Sequence, residues 1–60
     1  WSSYLNKRCL IVEDRPLGIA LEVLVEEVSP SKKRVKFLFP SCELSWEDCQ
    51  DWLLIECLEV

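Results

Sequence analysis

Cys9, Cys42, Cys49 and Cys57 are the residues of this 60-residue chain with the most chemistry available to them, as metal ligands, nucleophiles or disulfide partners. A structural zinc site would need two-residue knuckles or histidines to complete a tetrahedral set. The four cysteines are separated by 32, 6 and 7 residues and the chain has no histidine, so no metal is expected. Pairing as disulfides requires an oxidising compartment. In a reduced one the four are small buried hydrophobes, which is the reading adopted, with Cys49 expected to be the exposed thiol.

Catalysis finds no machinery. Without histidine, and with Gly18 the single glycine, there is no general base beside a nucleophile and no phosphate-cradling loop. Asp48 and Asp51 sit three apart and would share a helical face, but paired surface acids of this kind are read as solvated charges. The chain is therefore expected not to be an enzyme, and no cofactor is assigned to it.

Two further groups have binding chemistry. Lys32, Lys33, Arg34 and Lys36 form a basic segment with no acid between residues 29 and 40, and Lys32, Lys33 and Arg34 are the candidate nucleic-acid contacts. Residues 41–60 carry Glu43, Glu47, Asp48, Asp51, Glu56 and Glu59 and no base. The total is −4, which disfavours binding along a phosphate backbone, so the cations are read first as a solvated turn. Tyr4, Trp46 and Trp52, with Glu47 and Asp48, have the composition of a cage for a cationic or methylated peptide. Packing inside a small fold is the preferred role for those rings.

The elements that must hold these groups follow from hydropathy patterning. Between residues 19 and 39 two alternating apolar runs flank Ser29-Pro30-Ser31-Lys32-Lys33, the pattern of a β-hairpin with one buried face. Ile19, Leu21, Val23 and Val25 share that face with Val35, Phe37 and Phe39 of the returning strand. Ala20, Glu22, Leu24, Glu26 and Val28 lie opposite, with Arg34, Lys36 and Leu38. The register that best matches side chains puts Leu24 opposite Leu38, Val25 opposite Phe37, Val23 opposite Phe39 and Glu26 opposite Lys36, subject to a bulge; favourable cross-strand pairs are worth roughly 0.2–1 kcal/mol each.

Ahead of the hairpin, Trp1, Tyr4 and Leu5 are expected to pack on the body and residues 8–12 to form a strand. Residues 13–18 form the turn that ends it, with Pro16 removing a donor and Gly18 permitting a left-handed backbone. In the last third, residues 42–46 read as a short strand, 47–51 as one helical turn and 52–60 as a final strand. A C-terminal helix is the rival there, because Trp46, Cys49, Trp52, Leu53 and Cys57 also follow helical spacing. A lone two-stranded ribbon is marginal in water, which favours the strands.

Asn6-Lys7-Arg8-Cys9 entering a strand, the Val28-Ser29-Pro30-Ser31 turn inside residues 23–39, and Leu44-Ser45-Trp46 ahead of residues 53–58 together resemble the small SH3-like β-barrels of the Tudor and KOW type. The chain is similar to short uncharacterised prokaryotic and phage proteins built around such a turn and a following tryptophan. The resemblance implies an all-β, five-stranded SH3-like barrel over residues 1–60, with a long central hairpin and a single helical turn before the last strand. Barrels of this shape serve proteins, nucleic acids and methylated peptides alike.

The function expected from these residues is a non-catalytic interaction or structural module that binds protein or itself. Leu24 and Leu38, on the hairpin face opposite the core, are the candidate partner-binding residues together with Trp46 and Trp52. A nucleic-acid accessory role through the basic tip, or Tudor-like recognition of a cationic peptide, is the alternative. No apolar run approaches the roughly 18 residues that cross a bilayer, so no membrane association is expected and the cytoplasm is the default compartment. The chain opens on Trp1, so that reading applies to these residues alone.

Overall fold

The computed structural model describes residues 1–14 and 18–59. Five antiparallel strands form one sheet in the order β4-β3-β2-β1-β5: β1 Arg8–Glu13, β2 Leu21–Val28, β3 Arg34–Leu38, β4 Leu44–Asp48 and β5 Trp52–Cys57. Two 3-10 turns, Ser2–Tyr4 and Cys49–Asp51, complete the described elements. The all-β expectation is met, and the last third is strand, turn and strand rather than helix. Among the described residues no ladder joins the outer strands β4 and β5.

Alternation builds the core. Cys9 and Ile11 of β1, Val23 and Val25 of β2, Val35 and Phe37 of β3, and Trp52 at the start of β5 are buried. Successive side chains of a strand point to opposite faces, so residues two apart enter the same interior. Phe37 is its hub: the rings of Trp1, Phe39 and Trp52 lie 5.3, 6.0 and 5.9 Å from it, all edge-on, the arrangement that ring quadrupoles favour. Trp1 and Tyr4 pack against this core as expected, whereas Leu5 is exposed.

The central hairpin keeps the expected register where Leu24 faces Leu38 and Val25 faces Phe37. Glu26 is then an extra residue, so Lys36 faces Glu27 instead of Glu26, and Val28 faces Val35. A one-residue insertion reverses the parity of everything beyond it. Val28, expected on the outer face, accordingly packs against the core. The ladder ends at Leu38, leaving the expected Val23–Phe39 pair outside it.

Ile19 also departs from expectation. It is 87% exposed, because β1 and β2 pair only as far as Ile11–Leu21 and the next residues of β1 ladder with β5 alone. Among the described residues no neighbouring strand holds Ile19 over the core. The expected turn at residues 13–18 falls largely on residues 15–17, so the role given to Pro16 lies outside the described residues. The left-handed backbone expected at Gly18 depends on residue 17 and so also lies outside the described residues; Asn6, Lys32 and Cys42 take that conformation, with φ of 63°, 61° and 68°.

Two of those three residues close turns of the same design. In Ser29-Pro30-Ser31-Lys32 the Lys32 N–H donates to the Ser29 carbonyl at 2.8 Å, and in Phe39-Pro40-Ser41-Cys42 the Cys42 N–H donates to the Phe39 carbonyl at 2.9 Å. Proline presets the first corner of each. The Ser29 hydroxyl accepts from the Arg34 N–H at 3.1 Å and fastens the longer turn.

Candidate interaction surface

Register places three leucines in one row on the face opposite the core. Leu24 pairs with Leu38 across β2 and β3, and Leu38 pairs with Leu44 across β3 and β4. In the next row Lys36 pairs with Trp46, its Nζ 6.0 Å from the ring centroid, a cation–π distance. A third row pairs Arg34 with Asp48, whose guanidinium and carboxylate are 3.5 Å apart. The outer face thus grades from aliphatic at the turn between β3 and β4 to charged at the hairpin tip.

Two leucines of the row, Leu24 and Leu38, open into a groove of about 640 Å³. Leu24, Leu38, Val23, Phe39 and Pro40 make its floor and walls, and Arg8, Glu22 and Glu59 make its rim. Arg8 spans the rim, donating to Glu22 at 3.2 Å and to Glu59 at 2.9 Å. One cation against two carboxylates leaves the rim with a net negative charge over an apolar interior.

Of the four expected partner-binding residues, the structure brings Leu24 and Leu38 into contact register and puts Trp46 on the same face at 38% exposure. Trp52 is elsewhere. At 8% exposure it belongs to the core, and its indole Nε1–H donates to Glu47 Oε1 at 3.2 Å. The Ser45 hydroxyl donates to the other oxygen of the same carboxylate. Glu47 thereby ties the end of β4 to the start of β5 where no ladder connects them. Its place on the inward side of β4 follows from the register Val35–Glu47.

The aromatic cage is not assembled. Trp46 is on the outer face, Trp52 is in the core against Phe37 and Phe39, and Tyr4 stacks edge-on with Trp1 at 6.3 Å. The basic tip is partly engaged by the acidic third. Arg34 is held by Asp48 and donates to the Trp46 carbonyl at 3.5 Å, while Lys32 and Lys33 border a second hollow of about 480 Å³ shared with Asp48, Cys49 and Gln50. Asp48 closes β4 and Asp51 lies in the following 3-10 turn, so the helical face that would have aligned the two acids does not form.

The cysteines divide by position. Cys9 is buried, Cys49 and Cys57 are half-buried, and Cys42 is exposed at the turn between β3 and β4. The exposed thiol is therefore Cys42 rather than Cys49, because the left-handed turn carries its side chain outward while Cys49 follows β4 beneath the tip. Burial raises the Cys49 thiol above its ordinary range, with the nearby Asp48 charge adding to it. Among the described residues no three His, Cys, Asp or Glu side chains are grouped to hold a metal ion.

Leu44, Phe39, Pro40 and the Arg8 bridge were missed by sequence reasoning. Pro40 and Ser41 mark a turn, but the register that brings 38 and 44 together depends on the left-handed Cys42, beyond which the Phe39 N–H donates to the Glu43 carbonyl at 2.9 Å. The Arg8 bridge had no local signal, since its partners lie 14 and 51 residues away. The chain matches no family model, no curated protein and no solved structure.

Proposed function

We propose that this chain is a non-catalytic interaction module that docks protein through the outer face of β2, β3 and β4, and that a second copy of the chain is the occupant. The observation carrying this reading is the row Leu24, Leu38 and Leu44, aliphatic on the side of the sheet that a solitary domain would present to water. The row runs to β4, an edge strand of the sheet, and a second β4 placed alongside would continue it into one shared apolar strip while pairing the edge backbone. Leu44 and Trp46, exposed on that edge, would be covered first. Small size adds support, because a chain near this length gains disproportionately from surface buried against a partner.

An SH3-like barrel is the finer fold reading. It draws support from the meander β1 to β4, from β5 returning beside β1, and from the Glu47–Trp52 bond across the remaining gap. Nucleic-acid binding through Lys32, Lys33 and Arg34 has less support, since Arg34 is engaged by Asp48.

Sedimentation across a wide range of concentration tests the proposal. The wild type is expected to form dimers, and Leu24→Lys to remain folded by circular dichroism yet monomeric. A wild type that stays monomeric throughout, or a Leu24→Lys variant that dimerises equally well, overturns it.

A further inference from the structure

Cys9 and Cys57 face each other across β1 and β5. The adjacent Leu58 N–H donates to the Arg8 carbonyl at 2.9 Å, which makes Arg8–Leu58 a hydrogen-bonded position and Cys9–Cys57 the non-hydrogen-bonded one beside it. At such positions Cα atoms approach to about 4.5 Å and side chains lie closest. That separation is within the roughly 4.4–6.8 Å that a disulfide spans. Both thiols are on the core side, Cys9 within the buried cluster and Cys57 packed against it.

A second bulge creates this meeting. Leu10 faces Glu56 while Ile11 faces Leu54, so Ile55 is the extra residue in β5. Without it Cys57 would have the parity of Leu53 and point to the outer face. Each thiol now donates to a nearby main-chain carbonyl, Cys9 to Lys7 at 3.8 Å and Cys57 to Glu59 at 3.0 Å. These bonds are weak and hold the sulfurs without covalent constraint.

We propose that Cys9 and Cys57 are a dithiol site that a low-molecular-weight disulfide, of which oxidised glutathione is the probe, converts to a cross-strand bond locking β5 onto β1. Cys57, the more accessible of the two, reacts first. Its thiolate attacks one sulfur of the glutathione disulfide, that S–S bond breaks and one glutathione thiolate leaves. Cys9 then loses its proton to solvent and its sulfur attacks the Cys57 sulfur, displacing the second glutathione thiolate. Two cysteine thiols are oxidised, one glutathione disulfide is reduced to two thiols, and the released protons balance them. Burial pushes the Cys9 thiol up to about 11, with Cys57 adding to the rise, so the closing step is the slow one near neutral pH.

The test uses the full chain carrying Cys42→Ser and Cys49→Ser, incubated with oxidised glutathione, unfolded and alkylated. Alkylatable thiols are expected to fall from both to none with no glutathione retained, and peptide mapping should join Cys9 to Cys57. Because the bond closes a loop over most of the chain, Tm should rise by roughly 10–20 °C, and adding Cys57→Ser should abolish that rise. The same mapping on the wild type, which needs no variant to fold, should return the same bond. Persistence of both free thiols, glutathione retained on Cys57 at equilibrium, or bonds only between chains overturns the proposal.

Discussion

Phe37 and Leu38 are neighbours in β3, both apolar and both paired across the hairpin, yet Phe37 is fully buried among aromatic rings while Leu38 lines an open groove. Val23 and Leu24 differ likewise in burial, Val23 buried and Leu24 half-buried, although both border the groove. Hydrophobicity therefore does not by itself decide which residues of this hairpin form the core; the pleat does, by sending alternate side chains to opposite faces. The inward set is enclosed by side chains of its own chain. The outward row is only partly covered, with Leu24 and Leu38 half-buried and Leu44 exposed, which supports the proposed association.

The widest separation between the two faces is expected in truncations of these neighbours. Phe37→Ala should lose about 3–5 kcal/mol of stability, the usual range for deleting a buried ring, and Leu38→Ala about 1–2 kcal/mol, because Leu38 is half-buried at an open groove rather than enclosed. Urea denaturation of both variants, at a concentration where each is monomeric, makes the comparison. Equal losses would mean that the outer row is part of the folding core.

A pH effect distinguishes the interior differently. The Cys9 thiol titrates near 11 in the folded chain against an ordinary 9.0, chiefly because burial disfavours the thiolate. The folded state therefore keeps this proton to higher pH than the unfolded one, and its contribution is complete below pH 9 and lost as pH rises from about 9 to about 11. In reducing solution the denaturation midpoint should drop over that window more steeply for the wild type than for Cys9→Ala. Parallel profiles would remove Cys9 from the interior set.

The smallest effect is expected at the charged end of the outer face. Arg34 and Asp48 are both more than half exposed, so Arg34→Ala should cost about 0.5 kcal/mol or less, and the difference should vanish in high salt. A larger, salt-resistant loss would place this pair in the structural rather than the solvated class.

Much of this architecture was legible in local chemistry. Alternation in residues 21–25 and 35–37 names the buried face, the turn residues Ser29 to Lys33 mark the hairpin's reversal, and matched cross-strand pairs give Leu24–Leu38 and Val25–Phe37 their register. The candidate surface was half legible: Leu24 and Leu38 follow from parity, while the facing of Trp46 and Leu44 requires the second turn and the Arg8 bridge requires strands distant in sequence. Trp52 carries two expected roles, packing as the preferred one and partner binding beside it, because composition cannot distinguish a ring that fills a core from one that faces a partner; its burial bears out the first.

By itself the amino-acid order determined the class of structure, since a period of two and the placement of turn residues are properties of the chain alone. Tertiary structure decided where that period breaks. The extra residues at Glu26 and Ile55 are invisible to a pattern that only counts alternation, because a bulge arises from fitting a twisted strand to its neighbour. Each reverses the facing of the residues beyond it in its strand, bringing Val28 to the core and Cys57 to Cys9.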